Sequence, residues 1–163
     1  MTEILILYIL NKYDCTIYKI KKLIDELFFA FVKSSSGTIT PALKRLENMS
    51  CVEYKSYMSE GGMLSKTYSI TPAGKKHLVS LLLTYEASNP SSLLNEIKIL
   101  LYCSNILSVN ELIEFKNNLR NIVELYKIQL ERGLEDEYTQ RSDMQKEVIL
   151  ITLDETKKLV ELL

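Results

Sequence analysis

The chain has 163 residues, enough for one medium domain or two small ones. Its 47% apolar content supports a buried core, and 25% charge is ordinary for a folded surface. The longest unbroken apolar run, Ile4 to Leu10, is far short of the roughly 20 residues a membrane-spanning helix needs.

The net charge of −1 hides an asymmetry. Residues 1–84 carry 11 Lys/Arg against 7 Asp/Glu, hence +4; residues 85–163 carry 9 against 14, hence −5. That split hints that only the first half meets a polyanion. The three cysteines, Cys15, Cys51 and Cys103, are widely spaced and odd in number, so they form no disulfide framework. They also lack zinc spacing, and small buried hydrophobes are the expectation. The N-terminus has no secretion-leader pattern, which makes a cytoplasmic location the default expectation.

In chain order, residues 4–10 (ILILYIL) fit either a buried strand or a buried helix, because so short a run does not separate the two. Ile17, Ile20, Ile24, Leu27, Phe28 and Phe31 then recur at helical spacing, with Lys19, Lys21, Lys22, Asp25 and Glu26 between them. That spacing predicts an amphipathic helix. The next segment, about 36–49, sorts cleanly on a helical wheel. Ile39, Ala42, Leu43, Leu46 and Met49 form the core stripe; Gly37, Thr40, Pro41, Lys44 and Asn48 lie opposite, flanked by Thr38 and Arg45. Ser35 or Ser36 can cap the start, and Pro41 comes early enough to lose at most one backbone bond.

The outward face of this helix is small at its N-terminal end and cationic a turn later. A helix entering a DNA major groove has this need. Gly and Pro allow close approach, hydroxyls and helix-terminal N–H groups reach phosphates, and Lys or Arg reach phosphate or guanine. Taken alone, the pattern also fits an ordinary amphipathic helix with solvated charges.

After Ser50 the runs CVEYKSYM and LSKTYSI, separated by Ser-Glu-Gly-Gly, predict a β-hairpin. Thr71 and Pro72 then supply a cap and a first helical residue, for a helix reaching about Glu86. Residues 88–92 (SNPSS) read as a linker at the charge switch. Beyond it the chain reads as helical. Ser108 and Glu111 make a capping-box pattern. Leu112, Phe115, Leu119, Ile122 and Tyr126 repeat in three- and four-residue steps, a coiled-coil-like seam that Gly133 and Glu135-Asp136-Glu137 weaken. A last helix, about 142–163, carries Met144, Val148, Ile149, Ile151, Leu159 and Leu162.

No enzyme is expected. His77, the only histidine, follows Lys75-Lys76 and reads as solvated or phosphate-near. No nucleophile, base and orienting group can be assembled around it, and no catalytic residue, metal site or cofactor is assigned. Of the ten tyrosines, Tyr54, Tyr57 and Tyr68 are expected in the core and on the sheet face of the hairpin. Tyr85, Tyr102 and Tyr126 are expected at a dimer interface, with an effector cavity between domains as the other possibility.

Helix, helix, turn, helix and hairpin is the layout of a helix-turn-helix with a wing, and local motifs agree with it. Ser36 to Glu47 (SGTITPALKRLE) resembles the S-G-T-L-Y-P-A-L-K-R-L-E signature of the PadR family of transcriptional regulators. Ile17-Tyr18-Lys19-Ile20 resembles that family's G-Y-E-I, and Glu60-Gly61-Gly62 resembles its wing tip. Lys66 to Gly74 (KTYSITPAG) resembles its K-x-Y-x-L-T-x-x-G. These motifs cover about residues 4–84; residues 85–163 are similar only in length and helical character to the longer subfamily with an extended C-terminal dimerisation domain.

The resemblance implies a mainly α fold with a small β-hairpin wing. It places a winged helix-turn-helix DNA-binding domain over 1–86 and a helical dimerisation domain, with a possible effector site, over 92–163. It makes residues 4–10 a helix. It implies a homodimeric repressor on a pseudo-palindromic double-stranded DNA operator, with a possible small-molecule effector. By position, Thr38, Thr40, Pro41 and Lys44 would face the DNA, and Tyr18 and Lys66 would meet phosphates. Ser35, Ser36 and Arg45 complete the expected DNA-binding set. Leu112, Phe115, Leu119, Ile122, Val148, Ile151 and Leu159 form the expected dimerisation set. The sequence departs from the family at three places: Thr40 stands for the usual tyrosine, Ile17 for a glycine, and Ser50 or Cys51 for the glycine after the recognition helix. A winged-helix protein-interaction module without DNA binding is the alternative.

Overall fold

Ile4 to Leu10 form the middle of a helix, α1 (Thr2–Leu10), and each of these seven residues is at most 4% exposed. A helix that is apolar all round has to be surrounded. In this computed structural model, which describes residues 1–58, 64–87, 89–136 and 138–163, α1 packs against α2 (Ile17–Leu27), α3 (Ser36–Asn48), α4 (Pro72–Leu83) and the second strand of the hairpin. The chain divides into two compact units. The first is Met1–Thr84 with Lys98–Ile106; the second is Tyr85–Ile97 with Leu107–Leu163.

In the first unit, α2 is capped by Thr16, whose hydroxyl accepts the Lys19 N–H. It stops at Leu27, so the predicted stripe outruns the helix. Phe31 lies in a following turn, closed by its N–H on the Phe28 carbonyl at 2.8 Å. The helical spacing persists because Phe28 and Phe31 join an aromatic cluster with Tyr8 and Tyr102 of the same unit.

Ser35 caps α3, and Ile39, Ala42, Leu43 and Leu46 are buried along it. Met49, expected in that stripe, is 50% exposed because the backbone turns away there. Ser50 sits in the left-handed region at φ 55°. Its N–H bonds the Glu47 carbonyl, and the Cys51 N–H bonds the Leu46 carbonyl at 2.8 Å. Glycine usually makes this helix stop; here serine makes it.

Strands β1 (Val52–Met58) and β2 (Leu64–Ile70) pair antiparallel, with Tyr54 opposite Tyr68. Cys15 bridges to Tyr68 by two backbone bonds. The motif Glu60-Gly61-Gly62 lies outside the described residues. Thr71 accepts the Gly74 N–H at 3.0 Å and donates to the Ser50 carbonyl at 2.7 Å, so it fastens the start of α4 to the end of α3. Gly74 allows this contact, since a Cβ there would lie 2.0 Å from the Cys51 carbonyl oxygen. Helix α4 ends at Leu83, short of the expected Glu86, with Thr84 as its cap.

Helix α5 (Leu93–Cys103) begins in the second unit, which continues with α6 (Val109–Glu135) and α7 (Asp143–Leu162). Capping boxes start both long helices: Ser108 with Glu111, and Ser142 with Gln145. Gly133 does not interrupt α6. Helices α6 and α7 pack together and bury Phe115, Leu119 and Val123 of one and Leu153, Thr156 and Leu159 of the other. The buried Thr156 hydroxyl is satisfied by the Thr152 carbonyl at 2.7 Å. No helix among the described residues is long and apolar enough to cross a membrane.

Candidate nucleic-acid interface

The outward face of α3 exposes Ser35, Ser36, Thr38, Thr40, Pro41, Lys44 and Arg45. Its first turn is held by its own hydroxyls. The Thr38 N–H donates to Ser35 Oγ at 3.3 Å, and the Thr38 hydroxyl donates to the Ser35 carbonyl at 3.0 Å. Pro41 is inside the helix on the exposed side, where the missing N–H removes a single bond. Lys44 has no carboxylate partner among the described residues. Arg45 does: its Nε donates to Glu3 Oε1 at 2.8 Å, tying α3 to α1. Arg45 therefore approaches an outside anion only with its remaining guanidinium nitrogens.

Tyr18, second residue of α2, is 77% exposed. Lys66 on β2 is half-buried, its ammonium 3.7 Å above the centre of the Tyr54 ring. The Tyr54 hydroxyl, by hydrogen bonding, raises the Lys66 pKa above its ordinary value. The lysine stays charged and its head is held in place. Of the hairpin tyrosines, Tyr68 is buried, whereas Tyr54 and Tyr57 are exposed.

Sequence reasoning missed the joint between α2 and α3. Asp25 accepts the Lys21 ammonium at 2.9 Å and both the N–H and the hydroxyl of Ser34 at 2.8 Å. Lys21 foremost, then Ser34, holds the Asp25 carboxyl at about 2, below the ordinary 3.8. The folded value is depressed, so its stabilisation is present above pH 3.8 and is lost as pH falls through about 2. The i,i+4 spacing of Lys21 and Asp25 was a visible signal; the link to Ser34, nine residues on, was not.

Other expectations resolve case by case. Cys15, Cys51 and Cys103 are buried free thiols, and burial raises all three, Cys15 to about 11 and Cys103 to about 12. Such thiols are poor nucleophiles. His77 is not simply solvated: its Nε2 is buried without a hydrogen-bond partner among the described residues. The three tyrosines grouped in the sequence have different surroundings within their own units. Tyr102 meets Tyr8, Phe28 and Phe31 edge-on in the first unit. Tyr85 donates to Glu96 at 2.5 Å in the second. Tyr126 lines a cavity of about 270 Å³ with Ala87, Pro90, Leu93, Ile122 and Leu125, all of the second unit. Of the expected dimerisation residues, Phe115, Leu119 and Leu159 are buried within the chain itself. Leu112 and Ile122 are half-buried, and Val148 and Ile151 are 57% and 68% exposed.

Three packed helices, a two-stranded wing and a capped helix with a hydroxyl and lysine face define a winged helix-turn-helix of the DNA-binding class. Residues 6–80 match the family described as Transcriptional regulator PadR-like family. Residues 6–80 therefore form a PadR-like domain, a domain of transcriptional regulators. No curated protein sequence matches it. Among solved structures it is similar to Bacillus subtilis PadR in complex with operator DNA, at 21% identity over 98% of this chain and 92% of that one, TM-score 0.49. It is similar to a PadR-like transcription factor from Bacteroides fragilis at 29% identity over 48% of this chain and 74% of that one, TM-score 0.44. It is also similar to Bacillus subtilis PadR in complex with p-coumaric acid, at 19% identity over 97% of this chain and 93% of that one, TM-score 0.40.

Proposed function

We propose that the chain acts as a homodimeric repressor that sets two copies of α3 into major grooves of a pseudo-palindromic operator. One observation carries the reading. Helix α3 closes its apolar side with Ile39, Ala42, Leu43 and Leu46, while its open side offers hydroxyls, a proline and a lysine with no carboxylate partner among the described residues. Thr38, Thr40, Pro41 and Lys44 face the bases, with the Thr40 methyl suited to a thymine methyl. Ser35 and Ser36 at the helix start, Arg45 beyond its Glu3 pair, Tyr18 and Lys66 take phosphates. DNA binding belongs to residues 1–86 and subunit pairing to helices within 92–163.

The pairing surface runs along α7. Met144, Val148 and Ile151 are exposed in four- and three-residue steps, a stripe that suits a second copy of itself. A small effector would enter the cavity beside Tyr126, where Gln129 supplies a polar group on a largely apolar wall. The cytoplasm, where the DNA is, is the working location.

The test is a titration of the full chain with a labelled duplex from just upstream of its own gene and with a scrambled duplex of equal composition. The promoter duplex should bind tighter by at least about a thousandfold, with affinity falling steeply as salt rises. Equal affinity for the two would refute the operator reading and leave the protein-interaction alternative standing.

A further inference from the structure

Eight residues, Phe28 to Ser35, connect α2 to the first residue of α3. The last of them before the cap is Ser34, and it is doubly fixed. Its N–H and its hydroxyl each donate to the same oxygen, Asp25 Oδ1, at 2.8 Å. The hydroxyl also lies 3.3 Å from the Lys21 carbonyl. The other Asp25 oxygen takes the Lys21 ammonium at 2.9 Å. Ser35 follows directly and caps α3. One carboxylate thus joins α2 to the residue from which the recognition helix starts.

We propose that Asp25 is a positioning residue for DNA recognition: it fixes where α3 begins relative to α2, and so the direction in which Thr38, Thr40 and Lys44 project. The inference rests on the reading that α3 contacts the operator. The charge of Asp25 works against that contact. It borders the same shallow surface hollow as the exposed Tyr18, where a carboxylate repels phosphate. Lys21 neutralises part of it, but Lys21 is thereby withdrawn from any phosphate. For general attraction to DNA the pair is a loss, so its benefit is geometric. Geometry matters for base contacts, which need an ordered approach, and hardly for non-specific binding, which is set by charge.

The two effects separate in one experiment. Fluorescence anisotropy would compare the full chain and its Asp25→Ala, Asp25→Asn and Ser34→Ala variants on the promoter duplex and the scrambled duplex. In Asp25→Ala the promoter-to-scrambled ratio should fall by about tenfold, the scale of one spoiled base contact, while affinity for the scrambled duplex holds or rises. Asp25→Asn keeps an accepting oxygen and should restore most of the ratio. A role in stability alone would lower both affinities together and would follow the folded fraction seen by circular dichroism.

A ratio within about twofold of wild type in Asp25→Ala, the scatter of independent sites, would overturn the proposal. So would an Asp25→Asn loss as large as that of Asp25→Ala, which would make charge the cause. If Asp25→Ala does not fold, Ser34→Ala decides, because it removes only the hydroxyl bond; an unchanged ratio there is equally fatal. A wild-type chain that does not prefer its promoter would sink the operator reading and this inference together. A wild-type preference that survives in Asp25→Ala would sink this inference alone.

Discussion

Helices α3 and α7 each start on a serine cap and each bury one apolar stripe, yet they leave opposite kinds of surface open. Helix α3 hides Ile39, Ala42, Leu43 and Leu46 and shows Ser, Thr, Pro and Lys. Helix α7 hides Leu153, Thr156 and Leu159 and still shows Met144, Val148 and Ile151. A wet hydroxyl and lysine face can meet an anion without being needed for folding. Large apolar residues exposed in a row are the kind of surface that protein contacts use. The first surface suits DNA and the second suits another protein chain.

The strongest blow to this contrast is a charge on α7. Ile151→Glu should leave the protomer folded, since Ile151 is exposed, and should yield monomers by light scattering. Operator affinity should fall by about a hundredfold or more, the usual scale of a lost bivalent linkage. A stable dimer would move the interface off α7. Next in size is Gly74→Ala, which sharpens how α3 is anchored. Its Cβ would collide with the Cys51 carbonyl just past the end of α3, and thermal unfolding should show a loss near the upper end of roughly 1–3 kcal/mol. A loss of only a few tenths would mean the backbone relaxes easily there.

On the open face of α3, Lys44→Ala should weaken operator binding by about 1–3 kcal/mol. Arg45→Ala should matter less, because its Nε is already engaged by Glu3. The reverse order would show that the Glu3 pair breaks on binding. The smallest effect is Ser50→Gly, which relieves the left-handed backbone at φ 55°. It should stabilise by a few tenths to about 1 kcal/mol in denaturant titrations.

The contrast was only partly legible in the sequence, for physical reasons. A helical wheel separates a wet side from a dry one, so the outward face of α3 could be read before any coordinates. It fails for α1, where Ile4 to Leu10 are dry on every side and no period survives. It overreaches in α2, where Phe31 keeps the helical spacing but belongs to an aromatic cluster past the helix end. The heptad seam through Phe115 and Leu119 announced that α6 has an apolar partner. It did not say whose; Phe115 and Leu119 are buried within this chain, whose α6 packs against α7. Links between distant residues left no trace at all: Glu3 to Arg45, Asp25 to Ser34, Thr71 to the Ser50 carbonyl. Each depends on where the chain turns, and the side-chain pattern does not encode that locally.

The most direct trial of α3 as the DNA-reading element is a photo-crosslink. A benzophenone-bearing phenylalanine in place of Thr40, on the promoter duplex, should attach to bases within the protected operator half-sites. The same probe in place of Val109, exposed at the start of α6, should attach to none. Base crosslinks from position 109 with none from position 40, in a protein that still binds the duplex tightly, would contradict it.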